Sequence, residues 1–360
     1  MKFGFAAMPI GVGGRSDRDA YHAAMEDVAL GVDLGYDSVW VLEHHFTPYF
    51  PVPDPLQYLT QVAARYPTIG LGTAVIVAPW HNPIRLTEQI ATLNNISQGP
   101  LHIGMGRGTA KYEFDRFQRD MTETRQRFKE TVEIIRLGLA GKPFTYEGEH
   151  FRIPETTIRP FVDDISRIHL SGAIASPESA RVMGELKLPL IQALFFPDAK
   201  AREVIGLWRD TARAAGMDVD AEMDLPFLGL PTVVAKTDEA AREIARKYYP
   251  IFAKVQAQHY ETASDPWKDL PSFERHSRNF TNMAKLAELG PHFEYFLDLQ
   301  LIGSPETVIR RIEQLQDALG INNICSVHAL YEMEDDLRRQ SMRLMAEEIA
   351  PHFRKKTAAA

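Results

Sequence analysis

Along the chain, short apolar and β-branched runs alternate with longer stretches whose apolar positions recur every three or four residues. The short runs are Lys2–Met8, Asp37–Leu42, Ile69–Val77, Leu101–Met105, Arg167–Ser171, Leu190–Leu194, Leu225–Val234 and Asn322–His328. Several are apolar at nearly every position, as expected of strands covered on both faces. The longer stretches read as helices. In Asp19–Leu34, residues Met25, Val28, Ala29 and Val32 share one side, and Gly35 ends the pattern. Pro83–Ser97 opens with a proline in its first turn and carries Leu86, Ile90, Leu93 and Ile96 as a stripe. Ser304 and Pro305 form the N-cap and first position of a further helix, with Ile309, Ile312, Leu315 and Leu319 facing inward and Gly320 as its stop.

Strands alternating with helices predict a parallel sheet with right-handed crossovers. An open doubly wound sheet alternates in the same way. A count of eight strands favours closure, and so do polar residues placed after many strands rather than at one switch point. The fold predicted is an α/β (β/α)₈ TIM barrel with insertions, one domain over residues 1–360. Two segments break the rhythm. Residues 141–160 are rich in Gly, Pro and aromatics and predict an extended excursion. Residues 259–294 are polar and aromatic, too long for a plain connection, and read as a lid over the barrel mouth.

Composition narrows the function classes. The formal net charge of −8 lacks the basic footprint of a nucleic-acid binder. No apolar run approaches the ~20 residues that span a bilayer, and Met1–Phe5 does not open a signal peptide. The one cysteine, Cys325, lies in an apolar run and is expected to be a buried small hydrophobe. A soluble cytoplasmic protein without nucleic-acid or membrane partners is expected.

In such a barrel, chemistry sits in the loops after the strand C-termini. After strand two comes Glu43-His44-His45-Phe46. Neighbours on a strand point opposite ways, so Glu43 and His45 share one side and His44 takes the other. One imidazole then looks into the mouth, suited to proton transfer, while the other braces the loop with the carboxylate. The alternative is a structural cluster bonded to backbone carbonyls. After strand three, Gly72–Pro79 is small enough for a flat ring to approach, or is plain packing. After strand four comes Gly104-Met105-Gly106-Arg107-Gly108-Thr109. Its glycines permit close approach, and Arg107 is a planar donor suited to phosphate. The glycine spacing is not that of a dinucleotide fingerprint, and no helix is expected directly behind it. Arg125, downstream, is either a second cation for the same anion or part of a solvated helix face. After strand five, Ala175-Ser176-Pro177 opens a helix whose N-terminus suits an anion, or which is merely capped. A metal site built from Glu43, His45, His81, His102 and His328 lacks any ligand spacing, and none is expected.

Taken together, Met1–Gly4, Asp37–Thr47 with its Trp40 and Glu-His-His-Phe, Gly72–Val77 with Pro79, Arg107-Gly108 with Phe114 and Phe117, and Ile321–Cys325 resemble the bacterial luciferase-like flavin-dependent monooxygenases, above all luciferase α-type chains. The segments keep the family's order over almost the whole chain. The resemblance implies a barrel that binds reduced FMN from a separate flavin reductase. There the flavin forms a C4a-hydroperoxide with O₂ and oxygenates a small organic substrate such as an aldehyde or ketone. It implies proton transfer at His44, a carboxylate near a subunit interface at Glu43, phosphate contacts at Arg107 and Arg125, and a cis peptide under the flavin ring at Ala74-Val75. It places Glu43, Gly106, Ala175 and Ser176 at the cofactor pocket, and it implies a homodimer through the helices after strands two and three. The chain departs from luciferase α at Gly106, where that chain has a reactive cysteine, at Ala173-Ile174 and at Leu194. Light emission and long-chain aldehyde specificity are not expected to carry over. Two alternatives are a deazaflavin-dependent hydride-transfer enzyme and a non-catalytic flavin-binding partner like the luciferase β chain.

Overall fold

In the computed structural model, β1 (Lys2–Ala6), β2 (Ser38–Val41), β3 (Gly70–Val77), β4 (Leu101–Gly106), the hairpin strands β5 (Phe144–Glu147) and β6 (Arg152–Thr156), β7 (Ile168–Ala173), β8 (Leu190–Ala193), β9 (Phe227–Val234), β10 (Leu301–Gly303) and β11 (Asn323–Val327) follow one another along the chain. The structure describes residues 1–11, 13–174, 176–193, 198–219, 227–270, 273 and 282–358. Between the strands lie α1 (Asp17–Asp33), α2 (Pro55–Arg65), α3 (Pro83–Ile96), α4 (Lys111–Arg116), α5 (Thr124–Leu139), α6 (Pro177–Glu185), α7 (Asp198–Ala214), α8 (Asp238–His259), α9 (Pro291–Leu299), α10 (Pro305–Leu319), α11 (Asp335–Leu344) and α12 (Ala350–Ala358).

All eight runs read from the sequence became barrel strands. They run in the order β1-β2-β3-β4-β7-β8-β9-β11, with β11 returning to β1, and every pair is parallel. Closure rests on β8 against β9, where Ile191 pairs with Phe227, and on β1 against β11, where Lys2 pairs with Asn323. The fold is therefore a TIM barrel with insertions.

Three elements differ from the expectation. The excursion at 141–160 is an antiparallel hairpin, β5 with β6. Its tip is held by the Glu130 carboxylate, which accepts the N–H groups of Glu149, His150 and Phe151 at 2.9, 3.1 and 3.0 Å. β10, three residues long, pairs with the far end of β9 and was too short to show as an apolar run. The short helix α4 opens at Lys111, close behind the strand-four glycines, where no helix was expected.

Helix ends follow their capping chemistry. Ser16, Asp54, Asn82, Ser176, Thr237 and Ser304 each accept a backbone N–H of the helix that follows. The stripe of α3 is spent inside its own barrel. Leu86, Ile90 and Leu93 are fully buried there, and only Ile96 is exposed. That stripe therefore offers no surface for a second copy.

The barrel interior holds an aromatic layer. Trp40 of β2 stacks on His102 of β4 at 5.4 Å between ring centroids, and His102 stacks on His169 of β7 at 5.2 Å. β3 lies between β2 and β4 and must leave room for the indole. It does so with Gly72, where a Cβ would come within 2.2 Å of the Trp40 ring. Burial, then the neighbouring His169 and Lys2, push the pKa of His102 down to about 3, so this ring is uncharged at neutral pH. Cys325 is buried, as read, and burial pushes its thiol well above the ordinary range.

Candidate active site

Parallel strands deliver their C-terminal ends to one rim, and the residues singled out after β2, β3, β4 and β7 meet there. Contacts run around it in sequence. The Glu43 N–H donates to the Val75 carbonyl at 3.2 Å. A Cβ on Gly106 would lie 2.7 Å from Val75 and 3.7 Å from the Ala173 Cβ. The glycine at 106 thus lets β4 lie flush against the end of β3. The Ala74–Val75 peptide is cis, and the register of β3 against β4 breaks across the same residues. Both side chains are half-buried.

Alternation along β2 sorts the ionisable residues into two clusters. In the first, Glu43 is buried and its carboxylate is saturated. Oε2 accepts the Val77 N–H at 2.7 Å, and Oε1 faces His81 Nε2 at 2.8 Å and His45 Nε2 at 3.1 Å. Burial alone would raise its pKa, but the bonds from His45, His81 and Val77 outweigh it and hold the carboxyl below its ordinary value. For His81, burial is likewise outweighed, by the bond to Glu43 and its charge, and the ring titrates above its ordinary value. Glu43 therefore braces the loops after β2 and β3, and its oxygens are already occupied by protein donors.

The second cluster surrounds His44. Its Nδ1 is buried without a hydrogen-bond partner and lies 3.4 Å from Glu113 Oε1. Glu113 of α4 is buried, accepts the His45 N–H at 2.6 Å, and sits 3.6 Å from His259 Nε2. Rings of Tyr49, His259 and Tyr260 surround the His44 ring at centroid distances of 4.7, 4.8 and 6.1 Å. Trp80, Phe114 and Phe117 form a further aromatic group against His45. Ligand atoms of His44, Glu113 and His259 lie within 4.8 Å of one another, so the metal-compatible set among the described residues differs from the one considered in sequence. His102, near the start of β4, stacks on Trp40, and the His328 ring is bonded to Ser341 at 2.8 Å, so neither joins this set.

Sequence reasoning missed Glu113 and His259. Glu113 lies in the unforeseen helix α4, and His259 ends α8 instead of opening a loop. The 259–294 segment read as a lid therefore starts one residue later and ends inside α9, and its residues 271–272 and 274–281 lie outside the described residues. Trp267 Nε1 donates to the Thr109 carbonyl at 2.7 Å, and the Arg107 guanidinium lies over the Phe273 ring at 5.0 Å.

The anion side is built around Arg107. Its Nη1 is buried without a partner. Burial, then the charge of Arg125, lower its pKa to about 10, against an opposing pull from Glu178. It stays charged at neutral pH, with a second guanidinium close by and a donor held out of water. Such an atom is costly unless a ligand completes it. Arg125 is half-buried at the start of α5 rather than on a fully solvated face. Ser176 supplies less than expected. Its Oγ accepts the Ser179 N–H at 3.1 Å, and its own N–H donates to Ser179 Oγ at 2.9 Å. With Pro177 lacking an N–H, the start of α6 is largely satisfied by its own cap. Ala175 lies outside the described residues, as does Leu194.

A family model described as luciferase-like monooxygenase matches residues 1–321. The chain belongs to the luciferase-like monooxygenase family. An alkanal monooxygenase alpha chain from a Kryptophanaron alfredi symbiont is 23% identical over 327 residues, covering 90% of each chain. Among solved structures, monooxygenase RslO1 from Streptomyces bottropensis superposes with a TM-score of 0.79 at 26% identity, covering 98% of this chain and 100% of its own. The oxygenating constituent of Pseudomonas putida 3,6-diketocamphane monooxygenase, in complex with FMN, gives 0.75 at 20% identity and 98% of each chain. An F420-dependent secondary alcohol dehydrogenase gives 0.72 at 18% identity, covering 97% of this chain and 98% of its own. The chain is thus an oxidoreductase of the luciferase-like monooxygenase family. No described helix is long and apolar enough to cross a membrane.

Proposed function

We propose that this luciferase-like chain is the oxygenating component of a two-component, FMNH₂-dependent monooxygenase. On this reading a separate cytoplasmic reductase supplies reduced FMN, and O₂ is spent on a small organic substrate such as an aldehyde or ketone. The observation that carries the reading is the buried, unpartnered Arg107 Nη1 on the rim it shares with His44. Arg107 and Arg125 would hold the phosphate as paired cations. The ring would lie over the half-buried Ala74 and Val75, where Gly106 keeps the floor flat. When bound, reduced FMN supplies the electrons that activate O₂. The protein's own part is to orient that ring, exclude water with Trp80, Phe114, Phe117 and the 259–294 segment, and move a proton at His44. We further propose that the chain works as a homodimer.

The test is an anaerobic titration with reduced FMN, reduced riboflavin and reduced F420. Reduced FMN should bind more tightly than reduced riboflavin, and Arg107→Ala should erase most of that difference. Losing a charge-assisted phosphate contact of this kind costs roughly 2–5 kcal/mol, about 30-fold or more in affinity. Admitting O₂ to the FMNH₂ complex with candidate aldehydes or ketones should give oxygenated product with little H₂O₂. Tightest binding of reduced F420, with hydride transfer and no O₂ uptake, would replace the reading with the deazaflavin one.

A further inference from the structure

The carboxylate facing His44 belongs to none of the sequence motifs. Glu113 Oε1 takes the His45 N–H at 2.6 Å, which ties it to the backbone that carries His44. The same oxygen lies 3.4 Å from His44 Nδ1 and 3.6 Å from His259 Nε2. A carboxylate oxygen offers lone pairs to several donors. Both separations exceed a settled hydrogen bond, as catalytic bonds often do before a ligand closes the site.

The surroundings favour one placement of the ring protons. His259 is buried, and burial with the neighbouring His44 and His45 holds its pKa near 2, so it is neutral and carries one ring proton. Its Nδ1 lies 2.7 Å from Thr47 Oγ1, which accepts the Tyr49 N–H at 3.3 Å. The Thr47 hydroxyl can donate to His259 Nδ1 while accepting from Tyr49, and the Glu113 carboxylate beside Nε2 draws the imidazole proton to that nitrogen. The same electrostatics put the proton of neutral His44 on Nδ1, leaving Nε2 as the bare lone pair. Tyr49 and Tyr260 confine the His44 ring edge-on at 4.7 and 6.1 Å.

We propose that Glu113 is the positioning residue of His44. It holds the imidazole in the Nδ1–H tautomer, so that Nε2 is the atom that accepts and returns a proton. His259, fixed by Thr47, is the second donor that keeps the carboxylate from turning away. This rests on the functional reading of His44 given above, but its first test needs no cofactor and no turnover.

That test is nitrogen-15 NMR of histidine-labelled protein, which reports the tautomer of each of its 12 histidines, with His44→Asn to assign the signal. The Nδ1–H form is expected at His44. Glu113→Gln, which keeps the shape and removes the charge, should shift the ring toward the Nε2–H form. Glu113→Asp, which keeps the charge, should retain the Nδ1–H form. In turnover, Glu113→Gln should lower kcat roughly 10- to 100-fold with little change in KM, with partial recovery in Glu113→Asp. Should Glu113→Gln fold poorly, the wild-type tautomer and the Glu113→Asp data still decide. An Nε2–H tautomer in the wild type, an unchanged tautomer and kcat in Glu113→Gln, or stoichiometric bound metal displacing the Nδ1 proton would overturn the assignment. If His44→Asn were fully active while the tautomers behaved as expected, the functional reading would fail and the positioning geometry would stand.

Discussion

Two imidazole–carboxylate clusters stand side by side on this rim, fed by adjacent residues of one strand end. Around Glu43 every distance is that of a settled bond, 2.7, 2.8 and 3.1 Å. Around Glu113 the backbone donor is close at 2.6 Å, but the two imidazole nitrogens stand off at 3.4 and 3.6 Å and have no hydrogen-bond partner. The residue types are nearly the same. The difference is saturation. A saturated buried network specifies a conformation and has nothing left to offer a ligand, whereas one with unmet donors keeps free energy to gain when a ligand arrives. The same contrast separates Ser176, committed to its cap, from Arg107 Nη1, committed to nothing.

The contrast breaks most visibly at the adjacent histidines. His44→Ala should lower turnover on an active substrate by roughly 10²- to 10⁴-fold, the usual contribution of a general acid–base group. Its effect on thermal stability and on FMNH₂ affinity should be small. Equal turnover in mutant and wild type would remove His44 from the chemistry. A wild type that binds FMNH₂ but oxygenates nothing would recast the chain as a non-catalytic flavin-binding partner. Glu43→Leu should show the opposite profile. It leaves the Val77 N–H and two imidazoles without an acceptor, at a cost of about 3 kcal/mol in unfolding free energy. Chemical denaturation would measure it, and a loss below about 1 kcal/mol would contradict the bracing role.

How much of this could be read from the chain alone follows from the range of the interactions involved. The eight strands, the caps at Ser176 and Ser304 and the stop at Gly320 are local. Apolar runs and capping residues write them within a few positions. The opposite facing of His44 and His45 is local too, since it needs only the pleat. Glu113 and His259 are not local. They reach His44 from α4 and from the far end of α8, across 69 and 215 residues, and no spacing rule connects them. Glu113 sits beside Lys111 and Asp115, which form an exposed ion pair, so its short helix reads as solvated surface. The stripe of α3 was legible as apolar, but its partner was not, because periodicity says that a face is covered and not by what.

A smaller effect is expected at the hinge between the clusters. Gly108 has φ +75°, and a Cβ there would meet Val77 Cγ1 at 2.6 Å and the Phe114 ring at 3.0 Å. Val77 supplies the N–H that holds Glu43, and Phe114 adjoins Glu113. Gly108→Ala should therefore disturb both clusters, with a stability loss on the order of 1–3 kcal/mol from the left-handed backbone and the clash. Unaltered melting and unaltered turnover together would show that the strand-four loop shifts freely, and that neither cluster depends on its register.

The smallest expected effect sharpens the contrast most, because it reads charge rather than shape. Glu43 has a folded pKa below its ordinary 4.5, so its contribution to stability is present above that value and is lost as pH falls through the folded pKa. His81 has a folded pKa above its ordinary 6.5, so its contribution is present below 6.5 and is lost as pH rises through the folded pKa. The brace should be strongest between about pH 4.5 and 6.5, where both partners carry their charge in the folded and unfolded states alike. Melting temperature followed across pH should show a shoulder in that window, and Glu43→Gln should flatten it by removing the Glu43 titration together with the upward shift it gives His81. Glu113→Gln should leave this shoulder in place, since neither Glu43 nor His81 is bonded to Glu113. A shoulder lost in both variants would mean that the two clusters titrate as one network, and the distinction between a braced carboxylate and a poised one would fall.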